Sequence, residues 1–151
     1  MSITQRRPNT IHLAGPKTTV NDYAASAQIT PGMLVEMHNS SGLKVRPNGS
    51  ATEIQAIAVA LEQIEMNKTV DDVYAIGDLV KFAFLAPGST FWGIIPSGQN
   101  ITQGALLQSN GDGKLKAATA TTQAAGLGRF QALDSPGAVT ADTRVRAQVI
   151  Q

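Results

Sequence analysis

Apolar residues occur in short runs from Ile29 onward, and Gly, Asn, Ser or Pro residues separate the runs. The runs lie at residues 33–37, 43–46, 54–62, 73–76, 79–85 and 91–95. Short runs rich in Val, Ile, Leu and Phe between turn residues are typical of β-strands. The pattern therefore predicts an all-β domain over residues 29–151, with at most a short helix, folded as a compact β-barrel or β-tulip-like body.

Residues 1–28 differ from the rest because no period of 2 or 3.6 runs through them. We interpret them as an extended N-terminal arm. One reading of the arm is a disordered terminus. The other is a segment that a partner orders by strand addition, with Ile11 and Leu13 as anchors and with Arg6 and Arg7 making charge-assisted contacts.

The chain contains an internal repeat. Ile-Thr-Pro-Gly-Met-Leu-Val-Glu in the first copy aligns with Ile-Thr-Gln-Gly-Ala-Leu-Leu-Gln in the second. The matched segments are 29–36 with 101–108, 43–44 with 115–116, 60–62 with 132–134 and, more weakly, 77–81 with 142–146. The offset is 72 residues for the first three pairs and 65 for the last. Unless similar glycine-rich turns match by chance, two related halves at 29–85 and 101–150 bury each other's apolar faces.

Charge and composition narrow the choice of partners. Lys and Arg number 12 and Asp and Glu number 11, which leaves a net charge of +1 at pH 7. So weak a field is not expected to hold nucleic acid or an anionic membrane. The chain has no Cys, which excludes disulfides and thiolate metal sites. No apolar run approaches the ~18 residues that span a bilayer, and no signal peptide is predicted.

Candidate catalytic and metal-binding residues are few. His12 and His38 each lack a neighbouring His or Cys, so neither predicts a metal site. Residues 126–128 begin a dinucleotide fingerprint but the third glycine is missing. Residues 110–113 resemble part of a calcium loop, and a tight hairpin turn explains them. The acidic stretch at 62–72 is interpreted as a solvated loop. We predict no enzyme activity, no catalytic residue, no metal and no cofactor.

The aromatic residues are concentrated in two predicted strands. Phe82 and Phe84 share one face of a strand, which favours a place in the core. Phe91 and Trp92 are adjacent and must point in opposite directions if the strand is extended. One of the two is therefore a candidate for a subunit interface.

These motifs, taken in order, resemble those of the tailed-bacteriophage capsid decoration (cement) proteins. The matching stretches are Pro-Gly-Met-Leu-Val-Glu at 31–36, Ala-Leu-Glu at 60–62, Asp-Asp-Val-Tyr-Ala-Ile-Gly-Asp-Leu-Val at 71–80, Gly-Ala-Leu-Leu-Gln-Ser at 104–109, Asn-Gly-Asp-Gly-Lys-Leu at 110–115 and Arg-Val-Arg-Ala-Gln-Val at 144–149. Together they cover most of residues 29–150. The arm is not covered, and residues 126–130 depart from the expected apolar run.

The resemblance implies a structural protein on the outer surface of a phage head, made in the host cytoplasm. Such a protein bridges neighbouring major capsid subunits, often as a homotrimer, and strengthens the shell against the pressure of packaged DNA. Its partners are then the major capsid protein and other copies of itself. Deleting residues 2–14 is expected to leave the β domain folded and to lower its occupancy on capsids.

Two other functions stand beside this one. A carbohydrate- or peptide-binding β module predicts a concave site lined by exposed aromatic residues, with Trp92 and Tyr74 as candidates. A small hydrolase requires a carboxylate pair or a site built on histidine. Mapping which aromatic side chains are exposed distinguishes the binding module from the decoration protein.

Overall fold

A computed structural model describes residues 9–38, 42–51 and 56–151, which form thirteen strands and one short helix. In chain order the strands are β1 (His12–Ala14), β2 (Lys17–Ala25), β3 (Val35–Met37), β4 (Lys44–Pro47), β5 (Ala58–Ala60), β6 (Leu79–Leu85), β7 (Thr90–Ile95), β8 (Asn100–Ile101), β9 (Leu106–Ser109), β10 (Leu115–Ala117), β11 (Phe130–Ala132), β12 (Gly137–Ala138) and β13 (Thr143–Val149). The helix α1 spans Ala120–Ala124, and one 3₁₀ turn spans Ile64–Met66. The predicted all-β class is confirmed.

Two larger sheets and one small one organise the strands. The six-stranded sheet has the order β1-β7-β13-β11-β9-β10, and the five-stranded sheet has the order β3-β4-β2-β6-β5. Strands β8 and β12 form a separate pair. Within the described residues the strand pairs are antiparallel except for β2 and β4, which run parallel. The longest strands, β2, β6 and β13, lie inside their sheets and hold them together.

The closed barrel expected from the sequence is not formed by the described residues. In the five-stranded sheet the two outer strands, β3 and β5, meet only through one isolated bridge between Leu34 and Val59. Each of these strands is three residues long, too short to build a continuous ladder across the gap. The predicted strand at 73–76 likewise contributes only a bridge from Tyr74 to Ile29.

The short helix α1 begins at a clear capping residue. The side chain of Thr119 accepts a hydrogen bond from the backbone N–H of Thr122, which satisfies one of the free donors at the helix start. Gly126, with φ of +77°, follows the helix. No helix in the described part of the chain is long and apolar enough to cross a membrane.

The internal repeat is visible in the backbone hydrogen bonds. Three bonds of the first half have counterparts in the second at the offsets found in the sequence. They are Gly32 N to Ala60 O (2.8 Å) with Gly104 N to Ala132 O (2.8 Å), Ala60 N to Met33 O (2.9 Å) with Ala132 N to Ala105 O (2.9 Å), and Leu61 N to Lys81 O (2.8 Å) with Leu133 N to Arg146 O (2.9 Å). Strands β5 and β6 therefore correspond to β11 and β13, residue for residue.

Across the hairpin of each half the sequence alignment is wrong by two residues. Leu43 was aligned with Leu115, but Leu43 is 54% exposed and Leu115 is buried. The counterpart of Leu115 is the buried Val45, because Met37 faces Val45 in one hairpin and Ser109 faces Leu115 in the other. Seven residues separate Met37 from its partner Val45 and five separate Ser109 from its partner Leu115, and this difference of two shifts the register.

The repeat also extends further upstream than predicted. Strand β2 runs antiparallel along β6 just as β7 runs along β13, the counterpart of β6. Strand β2 is thus the first strand of the first half and not part of an arm. The prediction of an arm separate from the domain is wrong for residues 9–28, whereas residues 1–8 lie outside the described residues.

Two hydrophobic clusters form the core, and one of them is shared by both halves. The shared cluster combines first-half residues such as Leu34, Val59 and Leu85 with second-half residues such as Phe91 and Phe130. The smaller cluster lies within the five-stranded sheet and includes the buried residues Ala25, Ile29, Val35, Val45, Ala58, Ala60, Tyr74, Val80 and Phe82. Neither half could bury the shared cluster alone, since each supplies only part of its side chains.

Candidate binding surfaces

The residues predicted to anchor the arm lie in different environments. Ile11 is fully buried in the shared core, its carbonyl accepts a hydrogen bond from Trp92 N (2.9 Å), and its N–H donates to a carboxylate oxygen of Glu62 (2.9 Å). It cannot anchor a partner.

Leu13 is 40% exposed on the edge strand β1 and remains accessible. Arg6 and Arg7 lie outside the described residues. Deleting residues 2–14 would remove the buried Ile11 and strand β1, so we expect this deletion to destabilise the domain as well as to lower its occupancy on capsids.

The candidate interface residues Phe91 and Trp92 are both built into the domain. Phe91 is fully buried and packs edge-on against Phe130, with ring centroids 5.8 Å apart. It offers no surface to a second subunit, so the interface prediction is wrong for Phe91. Trp92 is half-buried and packs against the shared core. A contact between Trp92 and another subunit stays a prediction.

Asn48 joins the two halves at a buried junction. Its Oδ1 accepts a hydrogen bond from Ser109 Oγ (2.7 Å), and its Nδ2 donates to Glu36 (3.2 Å). Its backbone carbonyl accepts a hydrogen bond from Gly113 N (3.1 Å), and Leu34 N donates to the carbonyl of Gly113 (2.7 Å). The turn at residues 110–113 therefore contacts the hairpin of the other half through backbone hydrogen bonds to Leu34 and Asn48.

Arg144 crosses between the halves at a second place. Its guanidinium donates to the backbone carbonyls of Pro31 (2.8 Å) and Val70 (2.5 Å). Burial lowers the pKa of Arg144, and the nearby charge of Asp71 opposes that shift. Both hydrogen bonds are charge-assisted because the guanidinium is ionised. Arg144 therefore stabilises the contact between the two halves and is not an exposed anion-binding group.

The histidines and acids are dispersed over the surface. His12 Nε2 lies 3.0 Å from the carbonyl of Gly15, and His38 Nδ1 lies 3.3 Å from Ser26 Oγ. Glu65 pairs with Lys81 at 3.2 Å. The part of the chain that the structure describes holds no group of three or more His, Cys, Asp or Glu residues arranged to bind a metal ion.

Asp134 and Arg146 form the best-connected ion pair on the six-stranded sheet. The carboxylate accepts hydrogen bonds from the backbone N–H and the Nε of Arg146, both at 2.9 Å. Partial burial raises the pKa of Asp134, but the hydrogen bonds and charge of Arg146 outweigh burial and lower it below the ordinary value of 3.8. The same contacts raise the pKa of Arg146.

This pair predicts a specific acid sensitivity. Because the pKa of Asp134 is lower in the folded protein than in the unfolded chain, its contribution to stability is complete above pH 3.8 and is lost as the pH falls through the folded value. Asp134→Asn is therefore expected to flatten the acid limb of a plot of unfolding free energy against pH. Urea melts between neutral pH and pH 2.5 measure this; an acid limb unchanged by Asp134→Asn would contradict the assignment.

A cleft of about 390 Å³ opens into the five-stranded sheet. Its apolar lining includes Phe82 and Phe84, and one wall carries the ion pair of Glu36 with Arg46, whose atoms lie 2.8 Å apart. Ala58 also lines the cleft, and its counterpart in the second half is the bulky Phe130. The two halves therefore differ in the size of the side chain at this position.

Three exposed apolar residues surround one end of the five-stranded sheet. Leu43 immediately precedes β4, and Leu79 is the first residue of β6. Both lie next to Ala24, because Ala24 N donates to the carbonyl of Leu43 and Ala24 faces Leu79. Ile76 lies in the turn that leads into β6. Their exposed fractions are 54%, 57% and 74%, respectively. We call Leu43, Ile76 and Leu79 the apolar end; surface clusters of this kind often mark protein contacts.

The two aromatic residues proposed for a carbohydrate or peptide site differ in exposure. Tyr74 is fully buried, and its hydroxyl donates to the carbonyl of Leu61 (2.7 Å). Burial raises the pKa of Tyr74 to about 12. Trp92 keeps only part of its surface. Tyr74 thus serves the core, and the prediction that it lines a binding site is wrong.

Comparison with known proteins gives one informative result. No protein-family model matches the chain, and no curated protein matches it either. Among solved structures, the fold is similar to the head fiber gp8.5 N base of bacteriophage phi29. The TM-score is 0.58 at 10% sequence identity, and the match covers 89% of this chain and 94% of that one. The two chains share a fold over nearly their whole lengths.

Proposed function

We propose that this chain is a non-enzymatic structural protein of a tailed-phage head, and that it acts as a decoration protein on the outer surface of the virion. The observation that carries the proposal is a fold shared over 89% of the chain with the base of a phage head fiber. The ordered series of decoration-protein motifs, found independently in the sequence, supports the same role.

The physical task of such a protein is adhesion. It bridges neighbouring major capsid subunits and holds the shell against the pressure of packaged DNA. Each copy supplies a modest interface, because weak contacts repeated over a closed shell act together as a multivalent set. A net charge of +1 suits a protein packed among many copies of itself, since a large like charge would repel. The capsid contacts of Arg6 and Arg7 belong to this proposal as predictions. The proposal does not depend on the oligomeric state, for which the resemblance implies a homotrimer.

The apolar end is the surface that we assign to the capsid contact. Leu43, Ile76 and Leu79 expose more than half of their surface, and burying such side chains at an interface contributes about 25 cal/mol per Å². They lie near one end of the five-stranded sheet, where all three are accessible to a partner. The cleft lies in the same sheet and offers a pocket for one apolar side chain.

The direct test asks whether the chain belongs to the particle. Antibodies raised against the purified chain are used to follow it through density-gradient purification of the phage that encodes it. The chain is expected to sediment with DNA-filled heads and to resist washing. Recovery only from the soluble fraction of the lysate would contradict the proposal.

The apolar end can be tested with matched surface variants. Ile76→Ser with Leu79→Ser is expected to weaken binding to undecorated heads by about tenfold or more, because two apolar anchors are lost. Met66→Ser, at an equally exposed residue on the 3₁₀ turn, serves as the control and should bind normally. Equal binding by all three proteins in a co-sedimentation assay would place the contact elsewhere.

A further inference from the structure

One edge of the five-stranded sheet is open along most of β2. Strand β6 pairs with β2 along its length, from Lys17 to Ala24. On the other side, β4 pairs only with Ala24 and Ala25. Among the strands that the structure describes, none pairs with the outer edge of β2 between Lys17 and Tyr23. That edge is the longest unpaired stretch of backbone in a strand of this sheet.

The register shows which backbone groups face outward. Pro16 O accepts a hydrogen bond from Ala86 N, and Ala25 N donates to Asp78 O, so these residues face β6. Ala24 N instead donates to the carbonyl of Leu43, the residue before β4. Neighbouring residues of a strand point their N–H and C=O groups to opposite sides. The residues of β2 that pair with even-numbered residues of β6 therefore direct these groups toward β6. The N–H and C=O groups of Lys17, Thr19 and Asn21 are left to face outward.

The second half shows that this kind of edge accepts a strand. Strand β7, the counterpart of β2, lies between β13 and β1. Strand β1 occupies the edge of β7 through the pairs His12 with Phe91 and Ala14 with Thr90. In the first half β2 has no counterpart of β1 among the described strands. The edge of β7 is therefore paired with β1, whereas the corresponding edge of β2 is unpaired among the described strands.

The free edge is complementary to itself. A two-fold axis through Thr19 would pair two β2 strands antiparallel, with Lys17 opposite Asn21 of the second copy. The bulge between Val20 and Tyr23 leaves Asn21 and Asp22 both exposed. Lys17 of each copy thus comes beside Asp22 of the other, so two opposite-charge contacts form at once. Asp22 has no ion-pair partner among the described residues.

We propose that a second copy of this chain occupies the edge, and that two copies pair through β2 to form one continuous sheet. A bulge and a lysine can also keep edge strands from pairing. Here, however, pairing would bring Asp22 beside Lys17 of the other copy, and this contact between opposite charges favours pairing with an identical edge. The contact is isologous and closes at two copies. It goes beyond the proposed function, which requires no particular contact between copies, and it differs from the predicted homotrimer.

Charge reversal with rescue tests the pairing. Analytical ultracentrifugation of the full chain should show a dimer. Lys17→Glu alone and Asp22→Lys alone should each raise its dissociation constant about tenfold or more, because each change makes both contacts repulsive. The double variant with both changes should restore the dimer. Lys116→Glu, on β10 of the other sheet, is the matched control and should leave the dimer unchanged.

A backbone variant gives an independent readout. Thr19→Pro removes an outward N–H and leaves the bonds to β6 in place, so it should yield a monomer whose circular dichroism matches that of the native chain. A native chain that is monomeric or trimeric at every concentration would overturn the proposal. So would a dimer that survives Thr19→Pro in a folded protein, or one that tolerates both single charge reversals.

Discussion

Gly32→Ala should destabilise the protein far more than Gly104→Ala, although the two glycines are counterparts in the repeat. Both have positive φ, +98° and +87°, and a side chain in that region costs about 1–2 kcal/mol per residue. A Cβ at Gly104 meets nothing within 4 Å. A Cβ at Gly32 would lie 2.8 Å from the backbone carbonyl of Trp92 and 2.6 Å from Nη1 of Arg144.

The difference between the two variants isolates the cost of that close approach. Arg144 ties the halves together through Pro31, so its displacement and the shift of β7 add about 1–3 kcal/mol for Gly32→Ala. Chemical denaturation of both variants measures the two losses directly. Equal destabilisation would mean that the halves do not approach as closely as described.

Phe130→Ala is expected to lower the free energy of unfolding by about 3–5 kcal/mol, the usual loss for a buried phenylalanine. Phe130 is fully buried, packs edge-on against Phe91 and belongs to the core that both halves share. The neighbouring backbone is fixed in two strand pairs, to β9 and β13, so the cavity cannot easily collapse.

Phe84→Ala is the matched control for the shared core. Phe84 is half-buried and lines the open cleft of the first half. Its removal enlarges a space that solvent already reaches, so we expect less than half the loss found for Phe130→Ala. Thermal and urea unfolding give both values. A larger loss at Phe84 would place the main core inside the first half.

The repeat was predictable from sequence because it is carried by hydrogen-bonded turns. The glycines at 32 and 104 each donate a backbone hydrogen bond to the alanine that begins an Ala-Leu-acid motif. Such bonds demand fixed spacing, so the offset of 72 residues survives although most side chains differ. Between those anchor points the spacing is free, and the segments that join the paired residues Met37 with Val45 and Ser109 with Leu115 differ by two residues. An ungapped alignment could not detect this.

Strand β2 was missed because its pattern is interrupted. Val20 and Tyr23 both pack toward the core, and the bulge between them inserts one residue into the alternation. The exposed Thr, Asn, Asp and Lys residues around them look like a polar terminus. The partner strand β6 lies some sixty residues later, and only that pairing reveals residues 17–25 as a strand.

Sequence periodicity predicts which residues share a face of a strand, but it does not predict which face is buried. The sequence predicts that Phe91 and Trp92 face opposite sides of a strand, and only Phe91 is fully buried. It does not reveal which faces the rest of the chain covers. Ile11 and Tyr74 are buried by partners distant in sequence, Trp92 and Leu61. The apolar end was missed for the same reason, because its residues come together only when β4, β2 and β6 align.

The most direct test of the proposed function is a cryo-EM reconstruction of DNA-filled phage particles from cells that produce this chain. We predict density for a two-sheet body on the outer surface of the shell, in contact with more than one major capsid subunit through the end that carries Leu43, Ile76 and Leu79. An undecorated outer surface in particles from cells that produce the chain abundantly would contradict it.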